Sequence, residues 1–127
     1  MSVRTLYEYA VVRVVPRVER EEFVNVGVAM YCRKFRYAAF LFELDADKIK
    51  ILHPEADIEE IQKHLNSFQK ICAGDKSYGK IANLEQAERF RWLTANRSTI
   101  IQSSPVHTGM CISAEETHQE LISKLVL

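Results

Sequence analysis

The chain has 127 residues, 47% of them hydrophobic, and its 17 basic and 17 acidic side chains cancel to a formal net charge of zero. That length buries a core in one domain, residues 1–127, without help from disulfides or metal. The lack of a basic excess disfavours a nucleic-acid binder, and no apolar run approaches the length that spans a bilayer.

Residues 7–15, rich in Tyr and Val, read as a first strand, ended by Pro16. Residues 17–22 form a charged turn and residues 23–32 a second strand. In that strand Val24, Val26, Val28 and Met30 alternate with Asn25, Gly27 and Ala29. A period of two predicts one core face of large residues and an opposite face that is low and open. Arg33-Lys34-Phe35-Arg36 is a basic turn. Residues 37–44 follow as a strand that is apolar on both faces, so both faces are expected to be covered. The short connections imply antiparallel hairpins.

Residues 45–52 are ambiguous and compatible with a short helix; Pro54 breaks the chain after them. Asp57 with Glu60 fits a capped helix start. Ile58, Ile61, Leu65, Phe68 and Ile71 then form a stripe at helical spacing, with Gly74 placed to stop it. After a polar loop, Asn83 is expected to cap a helix over residues 84–93. A short strand is expected over 98–102, and Ser113-Ala114-Glu115-Glu116 is a capping box opening a last helix. Strands first and helices later give an α+β fold. The expected form is an antiparallel sheet of about four strands, the first three as consecutive hairpins, with helices packed mainly on one face.

Chemistry concentrates between Arg89 and Gly109, a stretch with the only tryptophan, Arg91, Arg97, Ser104, His107 and Thr108. Such donors and acceptors suit an anion or a partner's polar surface. Arg13 lies within the first strand on the side of Tyr9 and Val11, where an unpaired charge is costly. Glu22 or Glu43 could pair with it; if that side is open, Arg13 and Asn25 would flank a polar site. The candidate binding residues are therefore Arg13, Asn25, Arg91, Arg97, Ser104, His107 and Thr108. For each a structural role competes: ion pairs with acids such as Glu85 and Glu88 for the arginines, a turn-fixing hydrogen bond for His107.

No catalytic residue is named. Ser103 and Ser104 near His107 lack a G-x-S-x-G elbow and an orienting carboxylate. His53, His64, His107 and His118 form no i, i+4 pair and no Cys pair accompanies them, so no metal site is expected. No phosphate-binding glycine loop is present, and no cofactor is expected. Cys32, Cys72 and Cys111 are odd in number and far apart, unlike a disulfide framework. With no signal-peptide architecture at residues 1–4, a reducing, cytoplasmic location is expected.

Two blocks resemble the domain-of-unknown-function family 3037. One is Tyr7-x-Tyr9-x-Val11-x-Arg13-x-Val15-Pro16 with Arg20-x-Glu22-x-x-Asn25-Val26-Gly27-Val28. The other is Glu88-Arg89-Phe90-x-Trp92-Leu93 followed by Arg97-Ser98-Thr99 and residues 104–109. The resemblance brings no activity. It implies a small bacterial protein often encoded beside a HipA-like kinase, in a toxin–antitoxin-like context. The expected function is thus a small cytoplasmic interaction or regulatory module for a protein partner, such as a HipA-like kinase. A homodimer is compatible with this; nucleic acid and membrane are not expected as partners. The alternative is a small anion- or nucleotide-binding domain, or an enzyme, built on residues 97–109.

Overall fold

Tyr and Val dominate the first strand because branched and aromatic side chains pack well on a pleated surface. The computed structural model, which describes residues 3–127, gives a sheet of five strands, all antiparallel. Its longest strand, β1 (Thr5–Val14), pairs on one side with β2 (Val24–Cys32), which pairs in turn with β3 (Tyr37–Phe42). Along the other side of β1 run β4 (Ile101–Ser103) and β5 (His107–Cys111), end to end. The first three strands are consecutive hairpins, as expected. The late strand differs: β4 lies a little beyond the anticipated 98–102, and β5 occupies residues taken for loop.

The helices are α1 (Ala46–Leu52), α2 (Ile58–Cys72), α3 (Gln86–Leu93) and α4 (Ala114–Leu125). Asp45 caps α1 by accepting from two backbone N–H groups, which resolves the ambiguous segment as a helix. Asp57 accepts from the Glu60 N–H at 3.1 Å and Ser113 from the Glu116 N–H at 3.3 Å, as their spacing predicts. Gly74, at φ 80°, ends α2 in the left-handed region. Asn83 does not cap α3. Its side chain donates to the carbonyls of Lys76 and Gly79, and the helix begins later.

Both faces of the sheet are buried. On one, Val12, Val14, Ala29 and Phe40 meet Ile49 of α1, Ile61 and Leu65 of α2, and Phe90 and Leu93 of α3. On the other, Tyr7, Val28 and Met30 meet Ala114, Ile122 and Val126 from the C-terminal segment that contains α4. Three helices on one face and one on the other explain the doubly apolar β3. Phe40 and Phe42 pack with the α1–α3 cluster, and Leu41 packs with α4.

The alternation in β2 does not define one core face. Val12 pairs with Gly27 but Arg13 pairs with Asn25, so Val26 is an extra, bulged residue. The bulge switches parity. Val24 and Val26 pack with the three-helix cluster, while Val28, Met30 and Cys32 turn toward α4. Nor is the side of Gly27 and Ala29 open. A Cβ on Gly27 would sit 2.5 Å from Cε1 of Phe40 and 2.6 Å from the Leu41 carbonyl oxygen, so glycine makes room for the neighbouring strand.

His118 is fully buried between α4 and the sheet. Its Nε2 lies 2.7 Å from the Val28 carbonyl oxygen and its Nδ1 2.6 Å from the Tyr37 hydroxyl. A carbonyl only accepts, so Nε2 carries the proton and Nδ1 accepts from Tyr37. Burial pushes the imidazole below its ordinary 6.5, opposed in part by the Val28 hydrogen bond. Burial also pushes the Tyr37 hydroxyl up to about 12.

Leu65 is fully buried in the three-helix cluster. Leu65→Ala should lower unfolding free energy by about 2–5 kcal/mol in denaturant melts, through lost transfer energy and the cavity left behind. His118 sets a pH dependence. Its folded pKa is depressed, so the unfolded chain binds the proton more readily. Its contribution is complete above 6.5 and declines as pH falls from 6.5 toward the folded value. Melts across that window should show a steeper acid loss in the parent than in His118→Gln.

Candidate functional site

The sequence predicts a loop carrying a site over residues 97–109; in the structure residues 101–103 and 107–109 are edge strands of the sheet. Between the pairs Val12–Ser103 and Tyr9–His107, β1 advances by three residues (12 to 9) and the edge chain by four (103 to 107). Pro105 sits in this break and has no N–H to give. Ser104 repairs it. Its N–H donates to the Val11 carbonyl at 2.8 Å, and its Oγ accepts from the Val11 N–H at 2.9 Å. The same hydroxyl donates to the Pro105 carbonyl at 2.9 Å. Ser104 is buried and its hydroxyl is spent on the ladder.

Arg97 closes the C-terminal end of α3, donating to the carbonyls of Trp92 and Leu93. Its guanidinium lies 4.8 Å from the Trp92 ring centre and 5.3 Å from that of Phe68. Burial lowers its pKa. Arg89 acts similarly, donating to the carbonyls of Cys72 and Leu84. Arg91 is different: it makes a two-pronged ion pair with Glu8 on β1, at 3.0 and 3.3 Å. The acids expected to pair with these arginines, Glu85 and Glu88, make no ion pair among the described residues.

Arg13 lies 4.3 Å over the Phe23 ring, and neither Glu22 nor Glu43 pairs with it. Among the described residues its Nε is the one buried side-chain polar atom without a partner. Asn25 does not flank an open site; its amide donates to the Leu125 carbonyl at 3.2 Å and ties down the end of α4. His107 is exposed and its ring rests 5.4 Å from that of Tyr9. Thr108 pairs with Glu8 on β1, so it points to the opposite face from His107.

The seven candidates therefore do not converge. Ser104, His107 and Thr108 follow one another along one edge but face inward, to the α4 side and to the α3 side. No Ser–His pair forms: Ser103 Oγ donates to the Ser104 carbonyl and Ser104 Oγ to that of Pro105. What the structure does bring together is Arg13 and Arg97. They line one polar cleft of about 410 Å³ with Glu21, Asn96, Ser98 and Gln102. Beside it, sharing Val18 and Arg97, is an apolar cavity of about 670 Å³ walled by Pro16, Ala56, Ile61, Phe68 and Ile101. A third depression, of about 870 Å³, holds Glu8, Arg33, Lys34, Arg36 and Arg91. Among the described residues no group of three or more His, Cys, Asp or Glu could hold a metal ion, and no helix is long and apolar enough to cross a membrane.

A family model described as a protein of unknown function, DUF3037, matches residues 9–126. The chain belongs to that family. No curated protein and no solved structure matches it. Membership in DUF3037 carries no residue roles, but the family match spans both features that composition alone left unseen, the apolar cavity and the outer edge of β5. The cavity had no sequence signal, because its walls come from segments far apart in the chain. The β5 edge had one: residues 106–112 contain no charged side chain and no proline.

Ser104→Ala should cost about 1–3 kcal/mol in a denaturant melt, because the Val11 N–H loses its acceptor at a part-buried position. Arg97→Ala should also lower Tm by freeing two helix carbonyls. His107→Ala, on an exposed ring with no hydrogen bond to break, should leave Tm within about 2 °C of the parent.

Proposed function

We propose that the chain is a small cytoplasmic interaction module that takes up a strand of a protein partner along β5. The observation that carries this is the contrast between the two sheet edges. The β3 edge is met by helix side chains at two points: Gln69 donates to the Phe40 carbonyl within the strand at 3.0 Å, and Gln86 to the carbonyl of Arg36, in the turn just before it, at 2.8 Å. Along β5 no side chain of the described residues does the same. The usual protections of a free edge, a lysine or a proline within the strand, are missing there. Apolar side chains flank it: Leu6, its cross-strand partner Met110, and Ile112 are 57%, 56% and 53% exposed. Strand addition uses such an edge, with main-chain hydrogen bonds for affinity and flanking side chains for selection.

The family resemblance supplies the partner class, a HipA-like kinase. The reading is non-enzymatic, since the hydroxyls of Ser103 and Ser104 serve the backbone and the exposed His107 ring leans at a tilt against Tyr9. Co-expression with the HipA-like kinase of the same genome, followed by size-exclusion chromatography, tests it. The parent should co-elute with the kinase, and the Met110→Glu/Ile112→Glu variant should elute alone while melting as the parent does. A parent that elutes alone removes the kinase as partner. A variant that co-elutes at parental yield removes β5 as the docking edge.

A further inference from the structure

Arg97 stands at the junction of two unlike spaces. On one side is the apolar cavity of about 670 Å³, within the roughly 300–1,000 Å³ usual for small-molecule sites. On the other is the polar cleft it shares with Arg13, Asn96, Ser98 and Gln102. Its charge is met only by the carbonyls of Trp92 and Leu93 and by two ring faces; among the described residues it has no carboxylate in ion-pair range. A guanidinium has five N–H donors, and the helix carbonyls account for two. An oxyanion placed there would gain a charge-assisted hydrogen bond in a partly dehydrated setting.

The acids near the cavity narrow the class of anion. Glu55, Asp57 and Glu60 stand among its lining residues, and Glu21 lines the cleft. Asp57 is occupied in capping the Glu60 N–H, and Glu60 pairs with His64 at 3.1 Å. Carboxylates at this range repel a multiply charged phosphate more than a single negative charge. The apolar walls, with Ile100 still 45% exposed at the mouth, gain from covering a hydrocarbon body. We propose that the cavity binds a small amphipathic monocarboxylate. Its alkyl or aryl body lies among Val18, Ala56, Ile61, Phe68 and Ile101, and its carboxylate rests on the spare N–H groups of Arg97. The site is separate from the β5 edge, so the two proposals stand or fall independently.

Trp92, the only tryptophan, lies against both Arg97 and Phe68 and reports on the site. Its emission should change saturably when the full chain is titrated with octanoate. Octanol and octylammonium should bind about tenfold more weakly, and inorganic phosphate should give no saturable change. Arg97→Gln should bring octanoate down to the level of octanol. Ile100→Glu, at an exposed position that leaves the core intact, should weaken octanoate about tenfold through like-charge repulsion and loss of apolar wall. It decides the matter if Arg97→Gln does not fold. Equal binding of octanoate and octanol by the parent, no saturable response, tighter binding of phosphate, or an Ile100→Glu variant that binds octanoate as the parent does would each overturn the proposal.

Discussion

A neutral imidazole sealed between a helix and a sheet holds the second layer of this fold in place. The face that α4 covers is mixed aliphatic and aromatic, and apolar packing alone tolerates small slides and rotations of the helix upon it. His118 removes that freedom. One ring nitrogen must find the Val28 carbonyl on β2 and the other the Tyr37 hydroxyl on β3, so one rotation and one height satisfy both. At the far end of the helix Asn25 holds the Leu125 carbonyl. With both faces of the sheet closed, free main-chain hydrogen-bonding groups of the sheet are confined to its rim. That is why the outer side of β5 matters more than its five residues suggest.

The elements legible in the sequence are those whose signal is local. α2 announces itself by its stripe and its Asp57 cap, and α4 by Ser113. The hairpins follow from short polar turns. The local pattern misleads where one residue changes the meaning of its neighbours. Val26 is an ordinary strand residue in composition, and only its extra place in the ladder makes the odd and even positions of β2 exchange faces. β5 leaves no local strand signal for a related reason. His107-Thr108-Gly109 after a proline reads as a turn, and the strand is held by pairing with β1 rather than by its own propensity.

The candidate residues stand out for their chemistry, and that chemistry is spent mostly indoors. Arg89 and Arg97 answer carbonyls that helix ends leave unpaired, a demand that no charge count reveals. Ser104 answers a gap made by the proline beside it. Arg91 found an acid, but on β1, 83 residues away, rather than on its own helix. Sequence proximity pointed to Glu85 and Glu88 because it cannot see which strand a helix crosses. Arg13 and Arg97 each stand out in the sequence, yet that they share one cleft follows only from the placement of β4 beside β1.

The clasp between Val11 and Ser104 also orders events in time. The two residues are 93 apart in the chain, so on the ribosome β1 and β2 can zip together long before the strand that completes the other side of β1 has been made. Throughout that interval the middle strand of the finished sheet is an outer strand, with Val12 and Val14 beside an unpaired ladder. The emerging chain thus passes through a stage in which its future centre is its stickiest margin, and residues 101–111, made only after the first three strands and three of the helices, are the ones that retire it.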